Sequence, residues 1–271
     1  MYSYPLINVA EILGANLWME DPAQIKYSSG ISKGKNDKAD ARKIALYGYR
    51  FIDKQKRYTP LDKEIKELKL LQSERAILIQ GKAKYREQIK DQQGFMQSQI
   101  FLAKKKRLLS IIGAYQKAIK EIDLQINQII SNNKTIQRQF TLLKTVEGVG
   151  DKVALKMIIL TGAFSLFKDY RKFASHAGVV PFAYLSASSC RSKSKLSHRA
   201  DKTIKSLLHL AALSILSKKD SELKRYYLRK VAQGKNKMAV INAIRAKLVA
   251  RMFAVIKHDK EYQLFYQDSF A

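Results

Sequence analysis

The chain has 271 residues, enough for one large or two small domains, and with 46% apolar residues and only 4 Pro and 12 Gly it can bury a core rather than remain disordered. Its 51 Lys+Arg against 23 Asp+Glu leave a net charge of +28, which requires a polyanion or a charged surface as partner. No apolar run reaches the ~18 residues of a spanning helix, the start Met1-Tyr2-Ser3-Tyr4-Pro5 has neither the basic nor the apolar part of a signal peptide, and the single Cys190 excludes an internal disulfide framework and suits a reducing cytosol. Nucleic acid is the expected partner, and no membrane.

In chain order, Leu6, Val9, Ile12 and Leu13 recur at helical spacing and stop at Gly14. A short strand is predicted at Leu17-Trp18-Met19-Glu20, ended by Asp21-Pro22. This is the late half of an α/β unit, and a helix with one strand makes no sheet alone, so the chain is expected to begin inside a domain. A basic Ser/Gly loop over 26–40 then runs into a helix from about Asp37 to Phe51. Asp37 and Asp40, three apart, share a face of that helix. They suit an N-cap and a first-turn acid favoured by the helix dipole, or alternatively two hard oxygen ligands for Mg2+, with phosphates drawn in by Lys33, Lys35 and Lys38.

From Leu61 to Gln139 two long helical segments follow without a proline. Leu61, Ile65, Leu68, Leu71, Leu78, Tyr85 and Ile89 mark the first. Leu108, Ile112, Tyr115, Ile119, Ile122, Ile126, Ile129, Asn133 and Ile136 mark the second, in alternating steps of four and three. That 3.5-residue seam predicts a coiled coil, with Asn133 specifying register. The two segments can fold back as an antiparallel hairpin across 90–103 or pair with another subunit, and either arrangement is a spacer or assembly element.

Val146-Glu147-Gly148-Val149-Gly150 predicts a tight turn before a new helix near Asp151. Gly148 and Gly150 let backbone approach a phosphate, and the N–H groups of the next helix point at it, the layout of a helix-hairpin-helix flanked by Lys144 and Lys152. A plain glycine turn between packed helices is the alternative. Beyond Gly178 and Pro181 lies a loop with Ser186, Ser188, Ser189, Ser192, Ser194 and Ser197, threaded by Arg191, Lys193, Lys195 and Arg199. It leads into a helix with Ile204, Leu207, Leu208, Ala211, Ala212, Ile215 and Leu216 on one face. Hydroxyls among fixed cations suit either a loop that receives and attacks a phosphodiester or a solvated loop that merely touches nucleic acid. Helices near 220–232 and 237–258 follow, the last with Met238, Ile241, Ile244, Leu248, Met252 and Val255 inward and Lys237, Arg245, Lys247, Arg251 and Lys257 outward. His176, His198, His209 and His258 show no metal spacing, His209 reads as a packed helix residue, and Cys190 lacks a base to make it a nucleophile.

K-N-D-K-A-D-A (35–41), the coiled-coil seam, E-G-V-G (147–150), F-A-S-H-A-G-V-V-P (173–181) and S-A-S-S-C-R-S-K-S-K-L-S-H (186–198) occur in this order. Together they resemble the DEDD transposases of bacterial insertion sequences, whose recombinases are guided by a bridge RNA. The resemblance covers about residues 5 to 260 and implies a mainly α chain. It divides that chain into the C-terminal part of an α/β RNase H-like (RuvC-like) domain over 1–58, a coiled coil over 59–140, a helical transposase domain with helix-hairpin-helix and serine loop over 141–262, and a tail over 263–271. It implies that Asp37 and Asp40 are the last two of four metal-binding acids, that Mg2+ is the cofactor, and that Ser186 joins covalently to DNA, with Ser189 its nearest competitor. Arg191 and Lys193 would steady the developing charge. The implied partners are insertion-sequence ends and target DNA, a guide RNA and further copies of the chain in a dimer or tetramer, in the cytoplasm at the nucleoid. Two features depart from the family. The first Asp and the Glu would precede Met1, so an N-terminal truncation that impairs activity is expected. Ala187 also stands where a glycine usually follows the serine. The rival reading is a non-catalytic basic coiled-coil protein that grips nucleic acid by its charge alone.

Overall fold

The computed structural model describes residues 4–28, 30, 36–96, 99–180 and 201–263. They divide into two units, one up to Leu61 and one from Asp62 onward. Helices dominate both, so the expected mainly α class holds.

In the first unit, α1 (Tyr4–Ile12) gives way to Gly14, whose φ of +62° continues no helix. Asp21 and Pro22 begin α2 (Pro22–Ser28): the Asp21 carboxylate accepts the Ala23 N–H at 2.9 Å, and proline's fixed φ suits the first helical position. The sequence predicts no helix there. α3 (Asp37–Arg50) falls where expected, and a 3-10 turn (Ile52–Lys54) follows. The predicted strand at Leu17–Glu20 is reduced to one antiparallel bridge between Trp18 and Arg57, beside the Tyr58 N–H donated to the Leu17 carbonyl at 2.7 Å. Among the described residues no longer strand forms, because a lone extended segment has no second edge to build a ladder. The small core is aromatic, with the Tyr47 ring 5.4 Å from Trp18 and 4.8 Å from Phe51.

In the second unit, α4 (Lys63–Gln93) and α5 (Gln99–Asn132) fold back on each other. Their partners run in opposite senses: Gln92 accepts from Lys104 at 2.9 Å, Tyr85 stacks on Tyr115, and Arg75 grips Asp123 through Nε at 2.6 Å and Nη2 at 3.3 Å. Of the two arrangements open to the sequence, the antiparallel hairpin is the one formed. Leu108, Ile112, Ile119, Ile122 and Ile126 are buried as the seam predicts. Beyond Ile126 the seam ends early, since Ile130 is buried instead of Ile129. Asn133 sits on no seam: α5 stops at Asn132, and the Asn133 side chain caps α6 (Lys134–Thr145), accepting the Ile136 N–H at 3.1 Å. A residue that offers the backbone such a bond is better used at a helix start than inside one.

The remaining helices are α7 (Asp151–Thr161), α8 (Tyr170–His176), α9 (Lys202–Ser217), α10 (Glu222–Ala232) and α11 (Lys237–His258). α11 packs against α6, α8, α9 and α10. Ile244, Leu248 and Met252 are wholly buried, with Met157, Phe173, Ile204 and Leu208 from the surrounding helices. Three expectations for α11 fail: the Arg251 side chain, expected outward, is 13% exposed because it turns back to Glu222 of α10. Met238 is 56% exposed, because it lies in the first turn past the bundle edge, and Arg245 is only 6% exposed. The Arg245 guanidinium points at α9, where its Nη2 meets His209 Nδ1 at 2.8 Å, and its buried Nε has no partner among the described residues. This geometry requires His209 to be neutral, and burial together with the Arg245 charge lowers its pKa.

The turn at 146–150 packs onto α9. Gly148 has φ +82°, and a Cβ there would stand 2.6 Å from Ile215 Cγ1 and 3.0 Å from the Ala211 carbonyl oxygen. A Cβ on Gly150 would meet nothing within 4 Å.

Gly148→Ala should therefore cost about 2–4 kcal/mol through overpacking and the left-handed backbone, and Gly150→Ala less than about 0.5 kcal/mol, both read from denaturant midpoints. The His209 shift fixes a pH dependence. With its folded pKa below the ordinary 6.5, the unfolded chain takes up the proton first as pH falls. Stability is therefore full above about 6.5 and declines as pH falls toward the lowered value. Thermal unfolding between pH 7.5 and 5 should show this decline, and His209→Gln, which keeps an acceptor for Arg245, should flatten it.

Candidate catalytic and nucleic-acid-binding residues

The two acids singled out in the sequence stand in the first turn of α3. Asn36, rather than Asp37, is the N-cap: its Oδ1 accepts the Lys38 N–H at 2.9 Å. An amide performs this as well as a carboxylate, which leaves Asp37 at the first helical position, exposed, with the exposed Lys38 beside it. Asp40 is half-buried and pairs with Lys43 at 3.1 Å, one turn further on. Mg2+ prefers six oxygens in an octahedron. Two carboxylates, one of them already facing a cation, supply part of such a shell. Among the described residues no group of three or more His, Cys, Asp or Glu stands ready to hold a metal. Lys33 and Lys35 lie outside the described residues.

The turn between α6 and α7 divides its two glycines. Gly148 faces the interior, as its contact with Ile215 requires, whereas Gly150 is open at the start of α7. No side chain caps that start; the Gly150 carbonyl accepts from Val153 and Ala154. The amides of Asp151 and Lys152 precede the first intrahelical donors, so they are the groups a bound oxyanion would meet. Lys144 lies across the turn, paired to Asp151 at 2.7 Å. Beneath it, the Glu147 carboxylate is 8% exposed and is held by the Ser221 hydroxyl at 3.0 Å and by Lys218 at 3.4 Å. Glu147 thus ties the turn to the segment between α9 and α10, while Lys144, Gly150 and Lys152 remain on the outside.

Ser186, Ser189, Cys190, Arg191, Lys193, Lys195 and Arg199 lie outside the described residues. The residues flanking them are held by hydrogen bonds. The Val179 carbonyl accepts from the Asn242 amide at 2.7 Å, and its N–H donates to Ala174 at 3.0 Å. On the other side the Asp201 N–H donates to the His176 carbonyl at 3.3 Å. Its carboxylate caps α9 by accepting from Thr203 at 2.8 Å and Ile204 at 3.0 Å, with Lys156 at 3.8 Å. The chain therefore leaves and re-enters the bundle at one place, the C-terminal end of α8. Sequence reading missed Asp201 and Asn242 as the residues that fix this place. Asp201 carried a signal, an acid directly before a helix with an apolar stripe. Asn242 carried none.

Residues 140–228 match the family model described as "Transposase IS116/IS110/IS902 family". Residues 1–92 match a second model, described as "Transposase", of the IS110 DEDD type. Two similar proteins are the pilin gene-inverting proteins of Moraxella lacunata and Moraxella bovis. Each is 28% identical over 237 residues, which cover 87% of this chain and 70% of the relative. Acids on an early helix, then a helical hairpin, then a basic bundle is the arrangement these models span from both ends, and the chain belongs to the IS110-type DEDD transposases, DNA-binding recombinases that typically work with a divalent metal.

Proposed function

We propose that this chain cuts and rejoins the DNA of an insertion sequence through a serine–DNA ester formed by Ser186. What supports the reading is the way Val179 and Asp201 are pinned to one end of α8, so that the segment carrying Ser186 starts and ends on a rigid frame. A nucleophile attached to rigid elements is better aimed than one on a free chain. In the step proposed, Ser186 Oγ forms a bond to phosphorus while the bond from phosphorus to one deoxyribose oxygen breaks. The hydroxyl proton leaves Oγ, and the departing oxygen is protonated. The phosphodiester energy is kept in the new ester for rejoining. Arg191 and Lys193 are assigned to the charge that builds on the non-bridging oxygens. Asp37 and Asp40 are assigned as two carboxylates of a Mg2+ site, the remaining ligands coming from outside the described residues. When bound, the ion would polarise the scissile phosphate.

The open start of α7 is assigned to the DNA backbone, in the manner of a helix-hairpin-helix. Gly150 would let a phosphate approach, and Lys152 would add charge, with Lys195 and Arg199 extending the track and Lys33, Lys35 and Lys38 serving the acidic end. The relatives' name speaks of inverting a gene. The same covalent chemistry in this chain would yield rejoined rather than merely cut DNA. A guide RNA, assembly as a dimer or tetramer, and a cytoplasmic, nucleoid-associated location belong to this proposal. No described helix is long and apolar enough to cross a membrane. One observation favours the non-catalytic alternative, namely that among the described residues no third acid joins Asp37 and Asp40 at α3.

Denaturing gels of the chain with labelled insertion-sequence-end DNA decide between them. Ser186→Ala should abolish the covalent adduct, a loss of at least about three orders of magnitude in rate, while Ser189→Ala keeps it. Chelation of divalent metal, Asp37→Asn and Asp40→Asn should each remove the adduct and leave equilibrium binding intact. Binding without any adduct in the unaltered chain would establish the non-catalytic reading instead.

A further inference from the structure

The α4–α5 hairpin reads in the sequence as a spacer, but its charge is not evenly spread. The half nearer the bundle, residues 62–79 and 118–133, carries five Lys or Arg against six Asp or Glu. The far half, residues 80–117, carries nine against two, Glu87 and Asp91. The antiparallel pairing of Tyr85 with Tyr115 and of Gln92 with Lys104 brings the two strands of this basic half side by side. On α4, Lys82, Arg86 and Lys90 form one i, i+4, i+8 row, and Lys104-Lys105-Lys106-Arg107 lies on the α5 side. Among the described residues none of these cations is in an ion pair, whereas Lys63 and Arg75 of the near half are.

Like charges at i, i+4 destabilise a helix, so the row is a cost to folding that an outside anion would relieve. The near half is where the bundle sits: Ile65 and Leu68 are buried there, and α4 packs on α7. In the far half, among the described residues, α4 and α5 cover each other, and at its end Phe95 is 75% and Ile100 80% exposed. From Gly81 to Gln93 the helix rises about 20 Å at 1.5 Å per residue, comparable to about six base-pair steps of duplex DNA at 3.4 Å. Seven of the nine cations are lysines, which act as point charges on flexible stems and do not read base edges as arginine forks do.

We infer that the far half of the α4–α5 hairpin is a sequence-neutral clamp on the phosphates of duplex DNA beyond the stretch held by the bundle. The inference requires only the family's binding of DNA and is independent of the assignment of Ser186. The test is equilibrium binding of the full chain to a duplex of about 30 base pairs over a salt series. Replacing Lys82, Arg86, Lys90, Lys106 and Arg107 by Gln should make the slope of log K against log salt shallower by two or more, at ~0.9 per phosphate contact. The chain carrying Lys63→Gln and Lys69→Gln should bind as the unaltered protein does. The thermal midpoint of the fivefold variant should hold or rise, because like charges are removed. If that variant fails to fold, Lys106→Gln with Arg107→Gln reads the same slope with a change of about one. An unchanged slope in the variants overturns the inference, as does a loss confined to single-stranded or duplex RNA, or a change in oligomeric state with duplex binding intact. Repeating the series in a Ser186→Ala background keeps the outcome separate from any failure of the covalent step.

Discussion

Burial of α11 is the constraint on which the second unit depends. This helix meets α6, α8, α9 and α10, and its Ile244, Leu248 and Met252 leave no exposed surface. At roughly 1.5–3 kcal/mol for each fully buried large apolar side chain, such a helix is a principal stabilising element of the bundle. It also sets the polar geometry around itself. Asn242, on the turn before Ile244, holds Val179, and Arg245 reaches across to His209. The exit of the chain from α8 is therefore positioned by a side chain on a helix whose register is fixed by packing.

A second theme is the separation of structural from solvent-facing groups within short motifs. In Glu147-Gly148-Val149-Gly150 the first three residues face inward: Glu147 to Ser221 and Lys218, Gly148 to Ile215, and Val149 into the core. Gly150 alone is open, at an uncapped helix start. The first turn of α3 divides in a similar way. Asn36 satisfies the backbone there, which leaves the carboxylates of Asp37 and Asp40 outside the cap, although Lys43 holds the second of them. An uncapped amide end attracts anions and a pair of acids attracts cations.

The positive charge is organised as well as abundant. Near the bundle, the hairpin's cations are balanced by acids, with Arg75 and Asp123 joined in a two-point grip. Farther out they are not balanced, and there the hairpin is held by its apolar seam around Ile89, Leu108 and Ile112 with Tyr85 against it. The seam allows the outer half to tolerate charge repulsion, since the buried contacts do not depend on the exposed ones.

The sequence by itself determined the elements whose signal is local. The i, i+3, i+4 stripe of α9, the bounds of α10 and α11, the start of α3 and the alternating seam of α5 were all legible, because helical periodicity is a property of neighbouring residues. The ordered motifs from Lys35 to His198 also sufficed to place the chain among the DEDD transposases, and the residue-by-residue assignment of Asp37, Asp40 and Ser186 comes from them. Tertiary structure decided whatever depends on a partner far along the chain. Arg245 was read as an outward cation because a basic residue next to an apolar stripe is usually solvated, yet α9 lies over it. Asn133 fitted a heptad, yet α5 ends one residue before it. Leu17–Glu20 had a strand's composition, but a strand needs an edge to pair with, and the described residues offer it only the short stretch Arg57-Tyr58. Gly148 and Gly150 look alike in sequence, and the positive φ of Gly148 together with the position of Ile215 sets them apart. For Asn133 the deciding contact is the cap it forms with Ile136 three residues on; for the others it is a long-range packing choice, and no local pattern of residues records which side of a helix or turn its neighbours will cover.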